Sequence, residues 1–153
     1  MKLSSILKKD KIKLDLKGSS KDEVIRELVE VVKKGEQSDL LFESLIKREK
    51  LGSTGIGKGI AIPHCRSLVV DKLEIVVGRS KDGVEFDSID KKPVHLFFLI
   101  VAPPQDKGNQ YLITLGKVAM LSQELIKSKL IFKPEKPADF IKLVKEFENK
   151  GKA

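Results

Sequence analysis

The spacing of hydrophobic residues changes period several times along this chain, and each change marks an element. In DKIKLDLKG, Ile12, Leu14 and Leu16 alternate with polar residues, as in a half-buried strand. Ser20-Lys21-Asp22-Glu23 has the form of a capping box. Val24, Ile25, Leu28, Val31 and Val32 follow it at helical spacing, with Gly35 as the expected stop. Ser38 is placed to cap a second helix that buries Leu41, Leu45 and Ile46 and carries Arg48 at or near its last turn. Beyond a glycine-dense stretch come three strand-like runs: GIAIP, LEIVVG at 73–78 and VHLFFLIVA at 94–102. The last has no polar alternation and reads as buried on both faces. Asp82-Gly83 and Pro93 predict a hairpin-like return between the second and third runs. PPQDKGNQ then reads as a loop, and Leu112, Leu115, Val118, Ala119, Ser122 and Leu125 trace the inward stripe of a third helix. A fourth begins near Pro137, with Phe140, Leu143, Val144 and Phe147 inward.

Helices stand both before and after the strand cluster, which predicts an α/β fold: a single layered domain with a mixed β-sheet flanked by helices. At 153 residues and 41% hydrophobic content the chain suits one domain over residues 1–148, with NKGKA at 149–153 expected to be a flexible tail. No apolar run approaches the roughly 20 residues of a membrane span, and MKLSSILKKDK lacks a signal peptide's apolar centre, so membrane insertion is not expected and the cytoplasm is. The single Cys65 excludes an internal disulfide framework. The net charge of +8 is spread among acidic neighbours and reads as a solubilising surface; no basic block interleaved with aromatics points to nucleic acid.

Chemistry concentrates in REKLGSTGIGKGIAIPHCR, residues 48–66. Gly52, Gly55, Gly57 and Gly59 suit a backbone that exposes N–H groups to anionic oxygens, and His64 brings a ring nitrogen that is nucleophilic when neutral. Together they point to phosphate handled by a histidine. GSTGIGK also fits most of a nucleotide-binding P-loop, but Gly59 stands where that motif needs a hydroxyl. A helix-like segment precedes the loop and a strand-like one follows, the reverse of the P-loop order. Arg48 offers a fork for phosphoryl oxygens, Ser53 and Thr54 offer small donors in the turn, and Lys58 reads as a surface charge. His95, inside an apolar strand, reads as structural. A metal held by His64, Cys65 and His95 would lack a recognisable ligand spacing, and strand neighbours such as His64 and Cys65 point to opposite faces.

Arg48-Glu49, STGIGKGIAIPH at 53–64, FDSID at 86–90 followed by Pro93-Val94, and the apolar strand closing in Ala102-Pro103 together resemble the enzyme IIA domains of the phosphoenolpyruvate-dependent phosphotransferase system. The likeness is to the fructose, mannitol and nitrogen-regulatory type, and STGIG is similar to the fructose and nitrogen-regulatory branches above all. The resemblance implies that His64 is phosphorylated on Nε2 by HPr or a paralogous phosphocarrier and passes the group to a IIB component. Arg48 would lie in the active site. No cofactor is implied, since histidine carries the phosphoryl group covalently. In one respect the chain departs from the family, which commonly has His-Leu where Tyr111-Leu112 stands. A phenol donates a hydrogen bond but carries no positive charge, so Tyr111 is expected to act as a second-layer donor. The resemblance is equally compatible with a nitrogen-type regulator, whose phosphorylation state controls binding to other proteins.

Overall fold

The computed structural model describes residues 2–150. Its elements in chain order are α1 (Leu3–Ile6), β1 (Ile12–Lys13), α2 (Lys21–Val32), α3 (Glu36–Leu51), β2 (Gly55–Gly57), β3 (Ile60–Ala61), β4 (His64–Arg66), β5 (Glu74–Val84), β6 (Val94–Ala102), α4 (Gln110–Ser128) and α5 (Pro137–Lys150). The strands form one mixed sheet in the order β1-β5-β6-β3-β2, with β4 also pairing with β6 beyond β3. β5 and β6 run antiparallel, which is the expected return, whereas β1 joins β5, and β3 and β4 join β6, in parallel.

The unbroken apolar run of β6 has a direct cause. Leu96, Phe98, Ile100 and Ala102 face one layer, built on α1, α4 and α5, where they meet Leu3, Val118, Leu125, Phe140 and Val144. Phe97, Leu99 and Val101 face the other, against Val24, Ile25, Leu28, Leu41 and Leu45 of α2 and α3. Strand side chains alternate, so a strand covered on both sides must be apolar at every position. Each fully buried Leu, Ile or Phe contributes on the order of 1.5–3 kcal/mol, and β6 is buried at every position but His95.

Several boundaries differ from expectation. β1 is two residues long, and Leu16 packs with the α2 and α3 layer while Ile12 and Leu14 join the opposite one. Ser20 does cap α2, accepting the Glu23 N–H at 3.2 Å. Gly35 does not end α2, which stops at Val32. It turns the chain into α3 at φ 68°, a conformation that glycine adopts without a Cβ penalty. Ser38 is therefore not a cap but a buried residue of the first turn of α3, where its hydroxyl accepts from Arg26 at 3.4 Å. In α4 the inward stripe falls on Tyr111, Thr114, Val118, Leu121, Ser122 and Leu125, while Leu112 is 60% exposed. α5 continues through Asn149 and Lys150, so that part of the expected tail is helical; residues 151–153 lie outside those described.

Candidate functional site

β4 lies parallel to β6 with His64 opposite Ile100. The chain reaches it through Pro63, whose carbonyl accepts the Ile100 N–H at 2.9 Å and so ties the residue before the histidine to the central strand. His64 is half-buried, and its Nδ1 lies 2.6 Å from the carbonyl oxygen of Ile62. A carbonyl can only accept, so Nδ1 carries a proton, and in the neutral ring Nε2 is the lone-pair nitrogen. The ring of Tyr111, buried in the first turn of α4, stands 6.0 Å from the His64 ring at an angle of 56°.

Two arginines bear on this pair. Arg66 shares a strand face with His64, two residues along β4, and its guanidinium carbon lies 4.7 Å from the Tyr111 ring centroid. The Asp106 carboxylate holds this corner, accepting the Tyr111 N–H at 2.7 Å and standing 3.9 Å from Arg66 Nη1. Arg48, in the last turn of α3, donates from Nη1 to the Gly52 carbonyl at 2.9 Å, which fastens its side chain across the helix end. Burial pushes the Tyr111 phenol up to about 12. The buried Cys65 thiol adds to the rise, and the positive charges of Arg66 and Arg48 oppose it. At neutral pH Tyr111 is therefore an uncharged phenol stacked by the Arg66 cation.

The glycine-rich loop does other work than the sequence suggests. Thr54 donates its backbone N–H to Glu49 Oε2 at 2.9 Å and its hydroxyl to Glu49 Oε1, Gly55 N–H goes to Ser53 Oγ at 3.1 Å, and Lys58 N–H goes to Asp90 Oδ2 at 2.8 Å. Ser53 Oγ donates to the Phe86 carbonyl at 2.5 Å. The loop folds into the β2–β3 hairpin braced against residues 86–90, and the backbone N–H groups of Gly52, Thr54, Gly55 and Lys58 are spent within the protein rather than offered to anionic oxygens. Ser53 and Thr54 are thus bracing groups in this structure. A helix before the loop and a hairpin after it also remove any P-loop reading.

Of the other sequence candidates, Cys65 points to the α2 and α3 layer, away from His64, and burial pushes its thiol up to about 12, which makes it an inert apolar residue. His95 sits toward the other end of β6 from Ile100, on the order of 17 Å away, with Nδ1 2.9 Å from the Ser80 carbonyl and its ring edge-on to Phe132. Among the described residues no group of three or more His, Cys, Asp or Glu side chains is arranged to hold a metal ion, and no helix is long and apolar enough to cross a membrane. Sequence reasoning overlooked Arg66 and Glu49. Reading HCR as a strand would have put Arg66 on the face of His64, but no local pattern marks Glu49 as buried.

Residues 5–147 match the family described as phosphoenolpyruvate-dependent sugar phosphotransferase system, EIIA 2. The chain is 40% identical over 135 residues to the PTS system fructose-specific EIIABC component of Bacillus subtilis, an alignment covering 86% of this chain but only 21% of that protein. It is 33% identical over 134 residues to a nitrogen regulatory protein of Pseudomonas aeruginosa, covering 85% of this chain and 86% of the relative. The crystal structure of nitrogen regulatory protein IIA-Ntr from Neisseria meningitidis superposes with a TM-score of 0.83 at 30% identity, over 93% of this chain and 98% of that one. A family match across nearly the whole sequence and a relative matched over most of both lengths agree with the mixed sheet and flanking helices described above: the chain belongs to the EIIA 2 family of the phosphotransferase system, with that family's phosphotransfer or regulatory role.

Proposed function

We propose that the protein is a cytoplasmic phosphocarrier in which Nε2 of His64 accepts a phosphoryl group from phospho-HPr or a paralogue and passes it to a IIB component for sugar uptake. The observation that carries this reading is the Nδ1–H to Ile62 carbonyl bond, which leaves the Nε2 lone pair available beside Tyr111, against whose ring Arg66 stacks. In the step, that lone pair attacks phosphorus in line while the donor's N–P bond breaks and its electron pair returns to the donor imidazole. Arg48, Arg66 and the Tyr111 hydroxyl serve as donors for the phosphoryl oxygens. The product holds the proton on Nδ1 and the phosphoryl group on Nε2, so no proton has to leave during transfer.

A second reading has its own support, because relatives named nitrogen regulatory protein align over 82% and 86% of their own lengths. In it, the roughly two negative charges gained at His64 switch the binding of a protein target. Both readings require phosphorylation of His64. The test is intact-mass measurement of transfer from phosphoenolpyruvate through enzyme I and HPr to the wild type, His64→Ala and Tyr111→His. One acid-labile phosphate, absent only from His64→Ala, is the expected result; normal labelling of a folded His64→Ala chain would overturn the assignment. Onward transfer to a fructose-type IIB component favours the transport role, whereas a phosphate that stays on the protein favours regulation.

A further inference from the structure

Glu49 is the most deeply buried carboxylate among the described residues, at 7% exposure, and nothing in the proposed chemistry uses it directly. From its carboxylate a run of hydrogen bonds leads to the reacting histidine. Both oxygens of Glu49 are taken by Thr54, through the backbone N–H at 2.9 and 3.2 Å and through the hydroxyl. The Thr54 carbonyl accepts the Ile62 N–H at 3.0 Å, and the Ile62 carbonyl accepts Nδ1–H of His64 at 2.6 Å. On its other side Glu49 faces Lys21 Nζ at 3.7 Å, and Lys21 lies 4.6 Å from the Phe86 ring centroid and 3.9 Å from Asp87.

We infer that Glu49, backed by Lys21, is a positioning residue that holds Ile62 under Nδ1 and thereby keeps His64 in the tautomer with a free Nε2. The inference rests on the reading of His64 as the phosphoryl acceptor. Burying a carboxylate is costly unless it is paired and hydrogen-bonded, and here every bond it makes braces the segment that ends at the histidine. The effect is one of position. The N–H and C=O of Thr54 belong to different peptide groups, as do those of Ile62, so polarisation does not pass along the run. What passes is placement of the Ile62 carbonyl. Gln at position 49 keeps the shape but puts an N–H₂ in place of one carboxylate oxygen, so at least one of the three contacts from Thr54 meets a donor where it had an acceptor.

The test reads His64 without phosphate first. Nitrogen-15 shifts of the imidazole in the full chain should report one neutral tautomer, protonated at Nδ1, in the wild type and in Thr54→Ser. In Glu49→Gln both tautomers should be populated, and transfer from phospho-HPr should slow by about tenfold, with Thr54→Ser near the wild-type rate. Wild-type shifts in Glu49→Gln would overturn the inference. If Glu49→Gln does not fold, Thr54→Val carries the same test: mixed tautomers support the inference and wild-type shifts overturn it. Failure of the wild type to take phosphate while keeping the single tautomer would overturn the carrier reading and leave this one standing. Fast transfer by a Glu49→Gln chain with wild-type shifts would do the reverse.

Discussion

Replacing Gly55 with alanine should destabilise the protein through one identifiable contact. A Cβ built on Gly55 would lie 2.3 Å from Ser88 Oγ, 3.0 Å from its Cα and 3.1 Å from its Cβ, where ordinary van der Waals contact begins at about 3.4 Å. The closest approach is more than an ångström too short, and Ser88 is buried, so its side chain has no solvent to swing into. Overpacking of this kind costs about 1–3 kcal/mol, and strain on the neighbouring Ser53 to Phe86 hydrogen bond adds about 0.5–1.5 kcal/mol. Loss of glycine's freedom in the unfolded chain offsets about 0.4–1 kcal/mol, leaving a net cost of about 0.5–4 kcal/mol. Ser88 Oγ has no hydrogen-bond partner, so Ser88→Ala by itself should be neutral or stabilising. In the Ser88→Ala background the remaining approaches to Cα and Cβ, at 3.0 and 3.1 Å, are still tight, so the Gly55→Ala penalty should shrink but not disappear. Urea denaturation of the wild type, both single variants and the double variant gives the coupling free energy, expected at about 1–2 kcal/mol. A Gly55→Ala cost that is the same in both backgrounds would refute the steric argument.

Three further outcomes follow from the site and its surroundings. Tyr111 is the sole tyrosine and the chain has no tryptophan, so a spectrophotometric titration reads it alone: phenolate absorbance should rise near pH 12, and a midpoint at the ordinary value of about 10 would contradict its burial. Arg48→Ala should slow phosphoryl transfer to His64 by about tenfold with little change in urea midpoint, and an unchanged rate would remove Arg48 from the site. Burial pushes the carboxyls of Glu27 and Glu148 up, but hydrogen bonds outweigh it and hold both below the ordinary value of 4.5; they come from Lys13, Lys17 and Gly18 to Glu27, and from Ser4 and Leu3 to Glu148. The stability they contribute is fully present above about pH 4.5 and is lost as pH falls through their folded-state values, so Glu148→Gln should flatten the acid limb of a melting-temperature profile.

Much of this architecture was legible along the chain, because burial imposes a period on the sequence. The apolar run of β6, the stripes of α2 and α5 and the start of α5 at Pro137 are local consequences of which faces must leave water. The Pro63-His64 pair and its glycine-rich approach likewise singled out His64 as the proposed phosphoryl acceptor without any coordinates. Short elements left no such mark: β2 and β4 are three residues each, too few to show a period, and they exist because β6 and β3 offer hydrogen-bonding edges. What the glycine loop does also lay outside local pattern, since the donors of Thr54 and Lys58 are claimed by Glu49 and Asp90, the latter 32 residues away.

The sequence by itself determined the layers and the family, and it singled out the histidine proposed to carry the phosphoryl group. Only the tertiary structure decided which nitrogen of that histidine is free, that Arg66 and Tyr111 stand beside it, and that a carboxylate in α3 braces the segment leading to it. The physical reason is range. Amphipathic periodicity and turn chemistry act between near neighbours in the chain, whereas the company His64 keeps comes from β4, α3 and α4, and even the short-range bond from Nδ1 to the Ile62 carbonyl depends on a backbone path that no side-chain pattern marks.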